Sequence, residues 1–159
     1  MIKIMFVCHG NICRSPMAEI IFNDMVKKNG LDGKYCAVSS ATSTEEIWNG
    51  IGNPVYPPAR EELMKHGLSC EGKRAVLFER GDYGKYDLII GMDSQNIRNI
   101  MRICGKDPEG KVYKLLSFAG EDRDVADPWY SGNFDITYED VYRGCAALFK
   151  KLEENNHVR

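Results

Sequence analysis

Long apolar runs are absent from this sequence. No stretch of its 159 residues approaches the ~20 consecutive apolar residues that a membrane helix needs. The run "IKIMFVC" is too short for a secretory core and is broken at once by His9-Gly10. A cytoplasmic protein with no membrane partner is therefore expected. Basic tracts are missing too: no Lys/Arg run exceeds two residues and the net charge is −2. That excludes broad nucleic-acid binding, though not a locally positive cleft. There is no CxxC pair and no Cys/His grouping at zinc spacing, so neither a metal nor a cofactor is expected. The six cysteines (Cys8, Cys13, Cys36, Cys70, Cys104, Cys145) should then rest as thiols. No internal repeat, linker or low-complexity tract divides the chain, so residues 1–159 read as one domain.

What is present is an alternation of strand and helix patterns. Buried-strand candidates are "IKIMFVC" (2–8), "YCAVSS" (35–40), "YDLIIGM" (86–92) and "KVYKLL" (111–116). Between them lie helix candidates. One opens at Ser15-Pro16, with Ala18, Ile21, Phe22, Met25 and Val26 at helical spacing, and closes at Gly30. "PPAREELMKHG" (57–67) starts on proline and stops on glycine, and a third helix follows a Ser94 cap to Gly105. "TYEDVYRGCAALFKKLEE" (137–154) carries Val141, Cys145, Leu148 and Leu152 on one stripe. This order predicts βαβ units and a parallel sheet with helices on both faces. Ligands of such sheets bind beyond the carboxyl ends of the strands. The segments 41–56 and 117–135 read as long loops, which in a compact domain are often functional.

"CHGNICRSP" (8–16) occupies that place, between the first strand and the first helix. A glycine-containing loop entering a helix N-terminus gathers backbone N–H groups into an anion site, and the same field favours a thiolate at Cys8. Arg14 offers a planar fork for phosphoryl oxygens. Ser15 is placed to donate its hydroxyl to the Cys8 sulfur, while Gly10 and Asn11 tolerate left-handed backbone. Nucleophile, oxyanion clamp and leaving-group stabiliser together suit attack on phosphorus through a phospho-cysteine. The departing oxygen needs an acid, and "VADPWY" (125–130) supplies Asp127 beside a stiffening proline. An ordinary aspartate is only about a thousandth protonated at pH 7. Asp127 must therefore be kept protonated by the charge of bound phosphate and thiolate, which predicts a mildly acidic optimum.

These residues resemble the low-molecular-weight protein tyrosine phosphatase family. The loop Cys8-His9-Gly10-Asn11-Ile12-Cys13-Arg14-Ser15-Pro16 and the distant Asp127-Pro128-Trp129 agree with the family in order and spacing. The resemblance implies a single-domain α/β fold, a phosphatase I-like, Rossmann-type three-layer sandwich whose four parallel strands run in the order 2-1-3-4. It implies Cys8 as nucleophile, Arg14 as phosphate clamp and Asp127 as general acid, then base. Asn11, Ser40 and His66 match the network that holds the loop's shape. Trp48, Trp129 and Tyr130 match the aromatic walls of the substrate cleft. The substrates implied are phosphotyrosine proteins or aryl phosphates, with phosphate or other oxyanions at the site, acted on by a monomer or weak dimer. The sequence departs from the family at His9, usually apolar, at Trp129, often tyrosine, and at "YPPA" (56–59), commonly D-P-R-A.

Each residue also has an ordinary explanation. Cys104 and Cys145 fall on apolar helix stripes and read as core. His66 before Gly67 could simply satisfy helix-end carbonyls, and Asp127 could be a turn residue. Cys13 reads as a redox guard that traps an oxidised Cys8 as a disulfide. A thiol-coupled arsenate reductase would need relay cysteines, and residues 71–103 contain none. A phosphoarginine phosphatase, the closer rival, resembles this loop but has threonine where Ile12 stands here. An anion-binding or redox-sensing module would have no use for a general acid such as Asp127.

Overall fold

A run of side chains buried from Ile4 to Cys8 makes the segment Ile2–Cys8 the central strand, β1. The computed structural model describes residues 1–157. The further strands are β2 (Tyr35–Ala41), β3 (Ile47–Trp48), β4 (Ile51–Gly52), β5 (Leu88–Gly91) and β6 (Val112–Lys114). Helices α1 (Arg14–Lys28), α2 (Pro57–Lys65), α3 (Ser94–Cys104), α4 (Pro128–Ser131) and α5 (Phe134–His157) alternate with them. β2, β1, β5 and β6 form one parallel sheet in that spatial order. Counted along the chain within the sheet, this is the 2-1-3-4 order that the resemblance implied.

Side chains alternate across β1, so its two faces feed two cores. Ile4, Phe6 and Cys8 pack with α1 and α5 through Met17, Ile21, Phe22, Val141 and Leu148. Met5 and Val7 pack on the other side with Phe78, Ile100 and Cys104. The result is three layers, helix–sheet–helix. Phe22 centres the larger core, meeting Phe6, Tyr35 and Phe149 edge-on at centroid distances of 6.1, 6.2 and 6.1 Å. Such pairs add about 0.5–1.5 kcal/mol each beyond the burial itself. Cys104 and Cys145 lie buried in these cores, as their stripes predicted.

Several boundaries differ from the sequence expectation, each for a local reason. α1 begins two residues early, with Cys13 rather than Ser15 at the N-cap position and no side-chain bond made there. Pro16 therefore sits inside the first turn, where its missing N–H costs nothing because those donors have no intrahelical acceptor. Ser15 is left free to turn inward. α3 is capped by Asp93, not Ser94: the carboxylate accepts from the Asn96 N–H at 2.7 Å, and Asn96 Oδ1 accepts in turn from the Asp93 N–H. The expected fourth strand is cut to three residues because Leu115–Ala119 winds into a 3-10 turn. The segment 41–56 holds the hairpin β3–β4, and 117–135 holds α4. Gly52 in that hairpin lies so close to the Ala75 backbone that any Cβ would collide with it. Among the described residues no helix is long and apolar enough to cross a membrane.

Candidate active site

The turn from β1 into α1 sets the site. Asn11 takes a left-handed conformation, φ 58°, which a short polar side chain tolerates. The loop is tied to its neighbours through its carbonyls: Cys8 O accepts from the Thr42 N–H, His9 O from Ser43 and Ile12 O from Tyr56, at 3.0, 3.0 and 2.8 Å. The Asn11 N–H donates to Cys8 Sγ at 3.3 Å, and Ser15 Oγ lies 3.0 Å from the same sulfur.

The Asn11 side chain is almost fully buried and bonded at each polar atom. Its Nδ2 donates to Ser15 Oγ (2.7 Å) and Ser39 Oγ (2.9 Å), and its Oδ1 accepts from the Val76 N–H (3.0 Å). Ser39 passes the chain on to Glu19 Oε1 at 2.7 Å. Lys73 Nζ closes it, 3.3 Å from the same carboxylate oxygen and donating to Ser39 O at 3.1 Å.

Arg14 is equally constrained. Its Nη1 donates to Asp93 Oδ2 at 2.7 Å and to Val125 O at 3.1 Å, and Nη2 lies 3.6 Å from Asp127 Oδ2. Burial opposes the charge, but Cys8, Asp93 and Asp127 outweigh it and hold the guanidinium more firmly protonated than usual. One carboxylate thus does two jobs: Asp93 Oδ1 caps α3 while Oδ2 fixes the clamp. Asp127 caps α4, accepting from the Trp129 N–H at 3.0 Å. Burial, then the neighbouring Cys8, pushes the Cys13 thiol well up, so Cys13 stays neutral at the N-cap position of α1.

Cys8, His9, Gly10, Asn11, Ile12, Cys13, Arg14 and Asp127 line one cleft of about 450 Å³, with Trp129 and Tyr130 at its mouth. Trp129 packs on Tyr56 at 5.2 Å between ring centroids, and Tyr56 on Phe134 at 5.9 Å. His9, where the family is usually apolar, meets Glu45 Oε2 through its Nε2 at 3.0 Å across the rim.

Three expected residues lie elsewhere. Ser40 points to Met5 Sδ, and Ser39 occupies the network instead. Neighbours on a strand face opposite sides of the sheet, so the one-residue difference decides everything. His66 ends α2 and stacks on Tyr138 of α5 at 3.8 Å, 5° from parallel, with Glu62 Oε2 at 3.4 Å. Trp48 sits on β3, 79% exposed, and does not line the cleft; Tyr56 supplies that wall. Conversely, Glu19, Lys73 and Asp93 carry no local motif, since their partners lie 20 to 79 residues away. Only Asp93, just before a helix pattern, had a readable capping signal. Among the described residues no group of three or more His, Cys, Asp or Glu side chains is placed to hold a metal ion.

The profile of the family "Low molecular weight phosphotyrosine protein phosphatase" matches residues 3–158. The chain belongs to this family. It is similar to the low molecular weight protein-tyrosine-phosphatase YfkJ of Bacillus subtilis, 37% identical over 99% of this chain and 100% of that one. PtpA of Staphylococcus haemolyticus, of the same description, is 38% identical over 100% of this chain and 99% of its own. The crystal structure of YfkJ superposes with a TM-score of 0.91, covering 98% of this chain and 96% of that one. SP-PTP, a low molecular weight protein tyrosine phosphatase from Streptococcus pyogenes, superposes with a TM-score of 0.82 and 33% identity, over 96% and 93% of the two chains. As a family member this phosphatase presents its loop at the carboxyl end of the central strand, where open parallel sheets bind ligands.

Proposed function

We propose that this chain hydrolyses phosphotyrosine monoesters through a phospho-cysteine on Cys8. The observation that carries the reading is the convergence of Cys8, Arg14 and Asp127 in one cleft at the N-terminus of α1. Cys8 Sγ attacks phosphorus in line while the ester oxygen departs opposite. The sulfur–phosphorus bond forms as the phosphorus–oxygen bond breaks, and Asp127 gives its proton to the leaving phenolate. The same carboxylate then takes a proton from water as it displaces the cysteine, releasing inorganic phosphate. The Arg14 fork and the loop N–H groups hold the equatorial oxygens, where charge is densest in the transition state. The Ser15 hydroxyl and the Asn11 N–H stabilise the thiolate as it leaves. Trp129, Tyr130 and Tyr56 flank the ring of an aryl ester, whose length reaches a buried sulfur. Ile12 on the cleft wall suits that ring better than a guanidinium, so phosphotyrosine is preferred to phosphoarginine.

Cys13 serves the same site in reserve. After a peroxide oxidises Cys8 to the sulfenic acid, the Cys13 thiol condenses with it and water leaves, giving a reducible disulfide.

Turnover of phosphotyrosine peptide and of a small aryl phosphate tests the reading. Cys8→Ser should abolish both while keeping phosphate binding. Asp127→Asn should cost on the order of 10²–10⁴-fold in kcat. Near-normal turnover by Cys8→Ser would sink the covalent mechanism.

A further inference from the structure

Asp127 opens the turn 127–132, most of whose hydrogen bonds are made within itself. Asp127 Oδ1 accepts from the Trp129 N–H at 3.0 Å, Asp127 O from Tyr130 at 3.3 Å and Pro128 O from Gly132 at 2.7 Å. The rings of Trp129 and Tyr130 lie largely in solvent. Such a turn takes its place in the molecule chiefly from its two ends. Just upstream, Val125 is pinned twice: its N–H donates to Met92 O at 2.9 Å, and its carbonyl accepts from Arg14 Nη1 at 3.1 Å. Ala126 and Asn133 flank the turn, and one side chain reaches both. Thr137 Oγ1, on the first turn of α5, lies 3.2 Å from Ala126 O and 3.3 Å from Asn133 O. Thr137 is fully buried.

A helical threonine commonly bonds back to the carbonyl four residues before it, which here belongs to Asn133. The helix does not need that bond, because the Thr137 N–H already donates to Asn133 O at 3.2 Å. Ala126 O is the nearer acceptor, and among the described residues no other donor reaches it. We infer that Thr137 is a positioning residue for the general acid: its hydroxyl ties the carbonyl before Asp127 to α5 and closes the turn at its base. This rests on the phosphatase reading of the cleft. A general acid works only within hydrogen-bond reach of the leaving oxygen, and a displacement of about 1 Å can cost ~10²-fold in rate. Thr137 itself touches no substrate and acts through the Ala126 backbone.

The need for an acid depends on the leaving group, and that dependence is the readout. Phenolate leaves poorly without a proton, whereas 2,4-dinitrophenolate leaves well without one. The quantity measured is kcat/KM, which covers the step that forms the phospho-cysteine, for phenyl, p-nitrophenyl and 2,4-dinitrophenyl phosphate. Thr137→Val keeps the side-chain shape and removes the donor. It should lower kcat/KM roughly tenfold for phenyl phosphate and less than about twofold for the dinitrophenyl ester. Thr137→Ser keeps the hydroxyl and should recover most of the loss. Thr137→Ala should repeat the valine pattern, which guards against a folding failure of either variant, and thermal midpoints are measured for all three. In an Asp127→Asn background Thr137→Val should cost nothing further, because the acid it positions is gone. An equal loss on all three esters would overturn the inference. So would an unchanged phenyl phosphate rate in the valine and alanine variants, or a full further loss in the Asp127→Asn background. An unaltered protein that hydrolyses none of the esters would instead overturn the phosphatase reading itself.

Discussion

The two sides of the catalytic cleft are built on opposite plans. The loop side, from Cys8 to Ser15, places its working side chains out of water. Cys8, Asn11, Arg14 and Ser15 are each at most 3% exposed and bonded to residues from four other segments. The rim side is made of aromatic rings left in solvent, with Trp129 63% and Tyr130 87% exposed. The difference follows from what each must do. A phosphoryl group in its transition state needs donors fixed before it arrives, because reorganising them during reaction costs rate. A ring or a peptide flank needs only surface to lie against, and exposed rings adjust at small cost. Chemistry is therefore held by the protein's interior and recognition by its edge.

That contrast is open to breakage, beginning with the clamp. Arg14→Lys keeps a charge but loses the fork that bonds Asp93 and Val125 together. We expect kcat/KM for an aryl phosphate to fall roughly 10²–10³-fold, with a smaller loss in phosphate affinity. A fall of only a few-fold would mean that charge alone suffices and that the buried plan is dispensable.

The network behind the loop sharpens the comparison with one pair of neighbours. Asn11→Ala and Ser39→Ala each orphan buried partners and should cost about 1–3 kcal/mol in stability, with kcat lowered through a misshapen loop. Ser40→Ala, one residue away on the opposite sheet face, should leave kcat near normal. Equilibrium urea unfolding and steady-state kinetics on the three variants decide this. On the rim, Trp129→Ala should raise KM for phosphotyrosine peptide about two- to fivefold with kcat little changed, a loss fitting one exposed contact. Trp48→Ala should do neither.

The smallest effect lies far from the cleft. Burial alone would raise the Asp107 carboxyl, but the Tyr83 hydroxyl and the backbone N–H groups of Lys111 and Val112 overcome it and hold it below the usual range. A carboxylate depressed on folding stabilises the protein above its unfolded pKa, and that stability is lost as pH falls through the folded value. Stability should therefore decline below about pH 4 partly through this group. Asp107→Asn should flatten that decline without altering the pH profile of turnover.

Much of this molecule is written locally. The apolar runs of β1 and β5, the stripes of α1 and α5, and the strand–loop–helix setting of Cys8 and Arg14 depend on neighbours in sequence, which periodicity and turn chemistry express directly. Asp127-Pro128 was readable for the same reason, as a short stiff turn with one carboxylate. The supporting residues were not. Ser39 and Ser40 are indistinguishable in sequence, and only the register of β2 against β1 decides which faces Asn11. Glu19, Lys73 and Asp93 look like surface charges until the sheet closes, bringing Asp93 onto Arg14 and Glu19 and Lys73 onto Ser39 behind the loop. Trp48 and His66 carried the right residue types, but the hairpin turns one out to solvent and α5 claims the other by stacking. Sequence alone determined the alternation of elements and the reacting groups, because both reside in short contiguous stretches. The residues bonded behind the loop and the walls of the cleft were left to tertiary structure, because a buried hydrogen bond is worth forming only once its distant partner has been brought out of water with it.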